Sequence, residues 1–90
     1  MKAMTHYYWY KACSICDGQG RLLLFMDLFR KELYLHCEEC ECGWRDPEKA
    51  ERKEAGFLTL DEDFEAEAAT RADIDKCGWQ KYAVNSFDKE

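Results

Sequence analysis

Hydrophobic and aromatic residues near the start of the chain alternate with the two-residue period of a β-strand. Residues 6–12 are rich in aromatic side chains, which favour strands. The alternation would place Tyr8 and Tyr10 on one face of this strand and Tyr7 and Trp9 on the other. We therefore expect a strand that enters the sheet with an apolar surface on both sides.

A second and a third strand are predicted between residues 21 and 36. Residues 21–27 (RLLLFMD) are almost continuously apolar, which is typical of a strand covered on both faces. Residues 28–31 would turn the chain and residues 32–36 would return it, with Leu33 and Leu35 on the same face. The alternative is one helix over residues 22–35, because no Gly or Pro marks the turn. The position of this segment between two cysteine pairs favours the hairpin.

Helix signals are confined to the second half of the chain. Residues 46–48 (Asp-Pro-Glu) combine an N-cap, a proline at the first helical position and an acid in the first turn, and the helix would run through Glu54. Residues 70–73 (Thr-Arg-Ala-Asp) fit a capping box with Asp in place of Glu. This second helix would run through Cys77 and end at Gly78. A last apolar segment from Trp79 to Phe87 is helical or extended.

Two cysteine pairs, C-x2-C-x20-C-x2-C, carry the clearest chemical signal. Each pair can form a tight knuckle that directs two thiolates to one point, and the hairpin would bring the knuckles together. We expect Cys13, Cys16, Cys37 and Cys40 to hold one structural zinc ion. Iron in a rubredoxin-like site, or disulfides, are the alternatives. A closed site with four cysteine ligands has no open position for a substrate, so this feature indicates a scaffold.

The remaining cysteines and histidines are weaker candidates for ligands. Cys42 lies two residues after Cys40 and competes for the same position, although two matching knuckles are the simpler arrangement. His36 and His6 offer imidazole nitrogens, and each is more often a strand residue in such a place. Cys77 has no nearby base in the sequence, so a small core residue is its expected role. No catalytic motif stands out, and we expect a protein that is not an enzyme.

These elements predict a single α+β domain over residues 1–90. Residues 6–45 would form a zinc ribbon, a β-hairpin with two cysteine knuckles, and residues 46–90 a helical and acidic C-terminal part. The first ten residues lack a signal peptide, and no apolar run reaches the roughly 18 residues needed to span a membrane. We therefore expect a cytoplasmic protein, in which paired thiolates bind metal.

Charge is distributed unevenly and bears on the choice of partner. The chain has a net charge of −6. Residues 1–37 carry a small positive excess, whereas residues 38–90 are strongly negative. An acidic surface repels phosphate and favours basic partners, which argues against nucleic-acid binding. The acidic block could simply be a solvated loop, but as a partner-binding surface it would comprise Asp61, Glu62, Asp63, Glu65 and Glu67.

Residues 33–48 resemble a family of small bacterial zinc-ribbon proteins. Their second knuckle reads Cys-[Asp/Glu]-Glu-Cys, then an acid, two variable residues, Trp, one variable residue and Asp-Pro-Glu. Residues 73–82 are similar to that family's C-terminal Asp-Ile-x-x-x-Gly-Trp-x-x-Tyr. The resemblance covers about residues 13–48 and 70–84. It places Cys42 on a variable position and so implies that Cys37 and Cys40 are the ligands.

The family in turn resembles immunity proteins of bacterial polymorphic toxin and contact-dependent inhibition systems. The resemblance therefore implies that the chain binds and neutralises a cognate toxin domain, for example a nuclease. The rival hypothesis is a zinc-ribbon adaptor for nucleic acid or the transcription machinery. That function would need a basic stripe, whereas the lysines and arginines of this chain are scattered.

Overall fold

One antiparallel sheet connects the two halves of the chain. The computed structural model describes residues 5–16, 18–54, 56–59 and 65–89. Its strands are β1 Thr5–Ala12, β2 Arg21–Asp27, β3 Glu32–Cys37, β4 Cys42–Trp44, β5 Phe57–Leu58, β6 Ala66–Ala68 and β7 Asn85–Lys89. They lie in the order β5-β4-β3-β2-β1-β7, and β6 pairs with β2. With two short helices on this sheet, the predicted α+β class is confirmed.

The hairpin of β2 and β3 is formed as predicted, and the single-helix alternative is excluded. Its register runs without a shift from the pair Leu22 and Cys37 to the pair Asp27 and Glu32. The turn over residues 28–31 contains no glycine, but Lys31 adopts a left-handed φ of 59°. Its backbone N–H donates to the carbonyl of Asp27 at 2.8 Å. The two apolar segments between the cysteine pairs thus form a hairpin although no glycine or proline marks the turn.

Both helices begin at the predicted caps. Helix α1 spans Pro47–Glu51, and the Asp46 side chain accepts the N–H of Glu48 at 3.0 Å. Helix α2 spans Arg71–Cys77, with a reciprocal capping box between Thr70 and Asp73 and Gly78 in a left-handed conformation. These local hydrogen bonds satisfy N–H groups that the first helical turn leaves unpaired.

Helix α1 is shorter than the prediction, which extended it through Glu54. It ends at Glu51, and Lys53 turns the chain with a φ of 60°. The carbonyl of Glu54 instead accepts a hydrogen bond from Nε1 of Trp44 at 2.8 Å. The N–H groups of Lys53 and Glu54 donate to the carbonyls of Ala50 and Lys49 at 3.2 and 3.0 Å, so backbone hydrogen bonds around the left-handed Lys53 end the helix.

One face of the sheet carries the main hydrophobic core. Leu22, Leu24 and Leu35 are at most 2% exposed and point to this side. Helix α1 contributes Ala50 and helix α2 contributes Ile74 to the same cluster. Both helices thus cover this face, as the alternation of β2 and β3 requires.

The opposite face carries a second apolar layer, which we call the aromatic layer. Its members are Tyr7, Trp9, Phe25, Tyr34, His36, Phe57 and Phe87. The ring of Phe25 stacks on His36 with centroids 4.9 Å apart, and Tyr7 stacks on Phe87 at 5.2 Å. Because these ring faces contact one another, the layer packs on itself. The predicted separation of Tyr7 and Trp9 from Tyr8 and Tyr10 is confirmed, since the latter pack against the core.

Residues 46–90, expected as a helical and acidic part, also supply three strands of the common sheet. Strand β7 pairs with β1 from Thr5 opposite Lys89 to Trp9 opposite Asn85. Strand β6 pairs with the C-terminal half of β2, whereas β1 pairs with its N-terminal half. Ribbon and C-terminal part therefore share one sheet.

Asp27 is a fully buried carboxylate at the base of the hairpin turn. It accepts the N–H groups of Phe29 and Arg30 at 2.9 and 3.0 Å, and the guanidinium groups of Arg30 and Arg45 at 3.1 and 3.0 Å. Burial by itself raises the pKa of Asp27, but these four donors outweigh it and hold the pKa below the ordinary value of 3.8. The carboxylate of Asp27 therefore connects the hairpin turn to Arg45, the residue that follows β4.

We predict that Asp27→Asn lowers the free energy of unfolding by about 2 kcal/mol at neutral pH, because a charged acceptor of four hydrogen bonds is lost. Since the folded-state pKa is depressed, this contribution is fully present above the unfolded-state pKa. It disappears as the pH falls through the folded value. Urea denaturation between pH 7 and pH 2 measures both effects. Asp75→Asn, at an exposed pair with Arg71, is the control and should change stability by less than about 0.5 kcal/mol. A pH-independent loss in Asp27→Asn would contradict the electrostatic account.

Candidate metal centre

The sheet brings the two cysteine knuckles to one end of the β2–β3 hairpin. Cys13 directly follows β1, and Cys37 is the last residue of β3. Cys37 pairs with Leu22, so β3 carries its thiol onto the core face. The hairpin thus brings the two cysteine pairs together, as their spacing predicted.

The four predicted cysteines form one cluster in which all ligand atoms lie within 4.8 Å of one another. The Sγ atoms of Cys13 and Cys40 are 3.8 Å apart, and those of Cys16 and Cys37 are 3.6 Å apart. A tetrahedral zinc site with Zn–S bonds of about 2.3 Å requires sulfur–sulfur separations of roughly 3.8 Å. Both separations are far longer than a disulfide bond of about 2.05 Å. The thiols are free and are spaced as ligands of one ion.

Backbone geometry fixes the orientation of the thiols. The N–H of Cys40 points to Sγ of Cys37 at 3.4 Å, and the N–H of Cys13 donates to the carbonyl of Gly20 at 2.8 Å. A Cβ on Gly20 would lie only 2.7 Å from Sγ of Cys37 and 2.9 Å from Cβ of Glu39. Only glycine therefore allows the exit of the first knuckle to pass so close to the second.

Burial favours the protonated form of three of the four clustered thiols. Burial raises the pKa of Cys13 and Cys37, and it raises the pKa of Cys40 to about 12. Burial acts in the same direction on Cys16, but hydrogen bonds from the Gly20 backbone and neighbouring thiols lower its pKa overall. Four closely packed thiolates would repel one another strongly. A divalent cation would remove this penalty, and its binding would release protons.

The other candidate ligands lie outside this cluster. Cys42 follows it in β4, and Cys77 is at the end of α2, where it packs against the core as predicted. His36 points to the aromatic layer, where burial lowers its pKa and its Nε2 lies 3.4 Å from Glu41. His6 instead pairs with Asp88 at 2.7 Å. Among the described residues, no further group of metal-ligating side chains accompanies the four cysteines.

An ion pair joins the second knuckle to the rest of the sheet, and the sequence analysis did not single it out. Arg21 donates from Nε and Nη2 to the carboxylate of Glu38 at 2.5 and 3.1 Å. Its backbone N–H donates to the same carboxylate at 3.0 Å. The guanidinium also lies 3.8 Å from the ring centroid of Phe87 in β7. Arg21 therefore contacts the metal end of the sheet and the aromatic layer together.

The predicted partner-binding residues lie only partly within the described chain. Asp61, Glu62 and Asp63 fall outside it. Glu65 and Glu67 are described and exposed, at the end of the sheet near the β2–β3 turn. The carbonyl of Glu65 accepts the N–H of Leu28 at 2.9 Å, and Glu67 pairs with Met26.

Comparison with known proteins returned no match among protein-family models, curated proteins or solved structures. Within the part of the chain that the structure describes, no helix is long and apolar enough to cross a membrane.

We predict that the purified protein binds one divalent metal ion per chain through the four clustered thiols. Cobalt(II) added in place of zinc should produce the strong sulfur-to-metal charge-transfer absorption of a tetrathiolate site. Cys37→Ser should lose the charge-transfer absorption that is typical of four thiolate ligands. Cys42→Ser and Cys77→Ser should retain this absorption. An altered spectrum in Cys42→Ser would instead make Cys42 a ligand.

We predict that Arg21→Ala weakens zinc binding about 10-fold, because Glu38 and its knuckle lose their anchor. Competition with a chromophoric chelator measures the affinity. Arg71→Ala removes an exposed arginine from the pair with Asp75 and should leave the affinity unchanged. The reversed pair Arg21→Glu with Glu38→Arg should recover part of the loss. An unchanged zinc affinity in Arg21→Ala would show that the second knuckle keeps its structure without the ion pair between Arg21 and Glu38.

Proposed function

We propose that this chain is an immunity protein that binds and neutralises a cognate bacterial toxin domain, with one zinc ion as a structural element. The observation that carries the proposal is the closed cluster of four thiols. Four protein ligands leave a tetrahedral ion no open position for a substrate or an activated water molecule. The centre therefore suits a scaffold that presents a binding surface.

Zinc is the ion we propose, because its tetrahedral preference and affinity for thiolate match the cluster. Structural zinc provides on the order of 10–16 kcal/mol of apparent binding free energy. An ordinary domain has a stability of about 5–15 kcal/mol, so the ion would decide whether the knuckle end is folded. A small chain that depends on metal in this way can remain compact with a modest core.

The charge of the chain supports a basic partner. The net charge is −6, and a tetrathiolate zinc site would add two further negative charges near the exposed Glu39. The substrate cleft of a nuclease has to attract phosphate and is therefore basic. An acidic inhibitor would be steered to such a cleft at a high association rate. We propose that inhibitor and toxin meet in the cytoplasm, where thiols remain reduced.

The acidic block of Asp61, Glu62, Asp63, Glu65 and Glu67 is the contact surface that we propose. Its two described members, Glu65 and Glu67, are exposed, and the backbone of this segment pairs with the end of β2 beside the hairpin turn. The identity of the partner rests on the resemblance of residues 33–48 and 73–82 to zinc-ribbon immunity proteins. We infer the class of partner, a toxin domain, from this resemblance, and we infer the contact surface from the acidic charge.

We predict that reversing Asp61, Glu62 and Asp63 to lysine weakens the complex with the toxin domain at least 10-fold and leaves the zinc content unchanged. Reversing Glu48, Glu54 and Asp75, which are exposed elsewhere, changes the net charge equally and serves as the control. Calorimetry measures affinity and atomic absorption measures zinc. Wild-type affinity in the first triple variant would exclude the acidic block as the contact surface.

Partner capture in the native host tests the function itself. The tagged chain is recovered without chelators, and a stoichiometric partner is identified by mass spectrometry. A partner that kills cells when expressed alone, and whose killing this chain prevents, would establish the immunity function. Recovery of RNA polymerase, ribosomal proteins or nucleic acid would replace it with the adaptor function.

A further inference from the structure

An aromatic side chain stands almost fully in solvent at the tip of the β2–β3 hairpin. Phe29 is 79% exposed, the largest fraction among the exposed large hydrophobic residues of the described chain. Its ring takes no part in the aromatic layer, and its nearest recorded partner is the guanidinium of Arg30 at 5.9 Å. Single exposed hydrophobic residues are common, so exposure alone does not identify a contact.

The backbone beneath Phe29 is held rigidly. The buried carboxylate of Asp27 accepts the N–H of Phe29 at 2.9 Å and that of Arg30 at 3.0 Å. The N–H of Lys31 donates to the backbone carbonyl of Asp27, and the N–H of Leu28 donates to the backbone carbonyl of Glu65. Four hydrogen bonds thus fix four consecutive tip residues. A preorganised anchor loses little conformational entropy on binding, which distinguishes Phe29 from an exposed residue on a flexible loop.

The fold itself does not require an aromatic residue at this position. The turn is closed by the backbone and by Asp27, and neither interaction involves the Phe29 side chain. Turns of this kind ordinarily carry polar residues, glycine or proline. The Phe29 side chain therefore contributes no contact to the hydrophobic core.

Acidic side chains lie beside the tip. Strand β6 pairs Ala66 with Asp27 and Glu67 with Met26, which brings Glu65 and Glu67 to this end of the sheet. A cavity of about 270 Å³ adjoins Leu28, and its lining includes Lys31, Glu67, Asp73 and Lys76. The charge of Arg30 is directed back to Asp27 at 3.1 Å. The tip thus adjoins Glu65 and Glu67, the two members of the acidic block that the structure describes.

We propose that Phe29 is the hydrophobic anchor of the partner interface. The surface formed by Leu28, Phe29, Glu65 and Glu67, which we call the hairpin-tip surface, receives a basic protein with an apolar pocket. This inference rests on the proposed function for the identity of the partner, but the surface itself can be tested without it. The ring enters the pocket, and the carboxylates pair with lysine or arginine residues around it, as aromatic anchors do at protein interfaces.

A photo-crosslinking amino acid, p-benzoylphenylalanine, placed at position 29 of the full-length chain tests the surface in living cells. The same residue at position 84 is the matched control, because Val84 is also exposed, at 61%, but precedes Asn85, which pairs with Trp9 towards the cysteine end of β1. We expect one crosslinked protein from position 29, with a basic isoelectric point, and no such product from position 84.

Affinity measurements with the purified crosslinked protein complete the test. Phe29→Ala should weaken binding about 10- to 30-fold, as loss of a central aromatic anchor does. Val84→Ala should have no effect. Both variants should melt at the wild-type temperature, because neither side chain is buried. Equal crosslinking from both positions, or wild-type affinity in Phe29→Ala, would overturn the hairpin-tip surface. A crosslinked basic protein without toxicity would retain the surface and refute the immunity function.

Discussion

The register of the β2–β3 hairpin is the constraint on which the structure depends. It pairs Leu22 with Cys37 at one end and Asp27 with Glu32 at the other, without a bulge between them. A shift of one residue would move every side chain of β3 to the opposite face. Cys37 would then leave the other thiols, and the aromatic side chains would replace the leucines in the core. The cysteine cluster, the core and the turn are therefore determined by one pairing.

The two apolar layers explain how so short a chain covers both faces of its sheet. The helices cover one face, and the aromatic layer covers the other by packing ring against ring. Arg21 joins this layer to the second knuckle, since it contacts both Phe87 and Glu38. Because β7 supplies Phe87, Arg21 contacts both the C-terminal strand and the second knuckle of the cysteine cluster.

The two ends of the hairpin have different chemical characters. At one end, burial raises the pKa of Cys13, Cys37 and Cys40, and a cation that binds the four clustered thiols would displace their protons. At the other end, the buried Asp27 holds a turn that presents Phe29 beside exposed carboxylates. A stabilising centre at one end leaves the opposite end available for recognition. This division agrees with a binding protein whose metal site does not take part in a reaction.

The sequence by itself determined strands β1, β2 and β3, the helix caps and the set of four cysteines that cluster, because strand-forming composition, capping and the C-x2-C spacing are local properties of the chain. Only the tertiary structure decided three further features. Gly20 is required by the close approach of Cys37, which the local pattern does not record. Residues 85–89 became the extended strand β7 because β1 offered an open edge. The proximity of Phe29 to Glu65 likewise depended on the hydrogen bond between Leu28 and Glu65, a contact between residues far apart in the sequence.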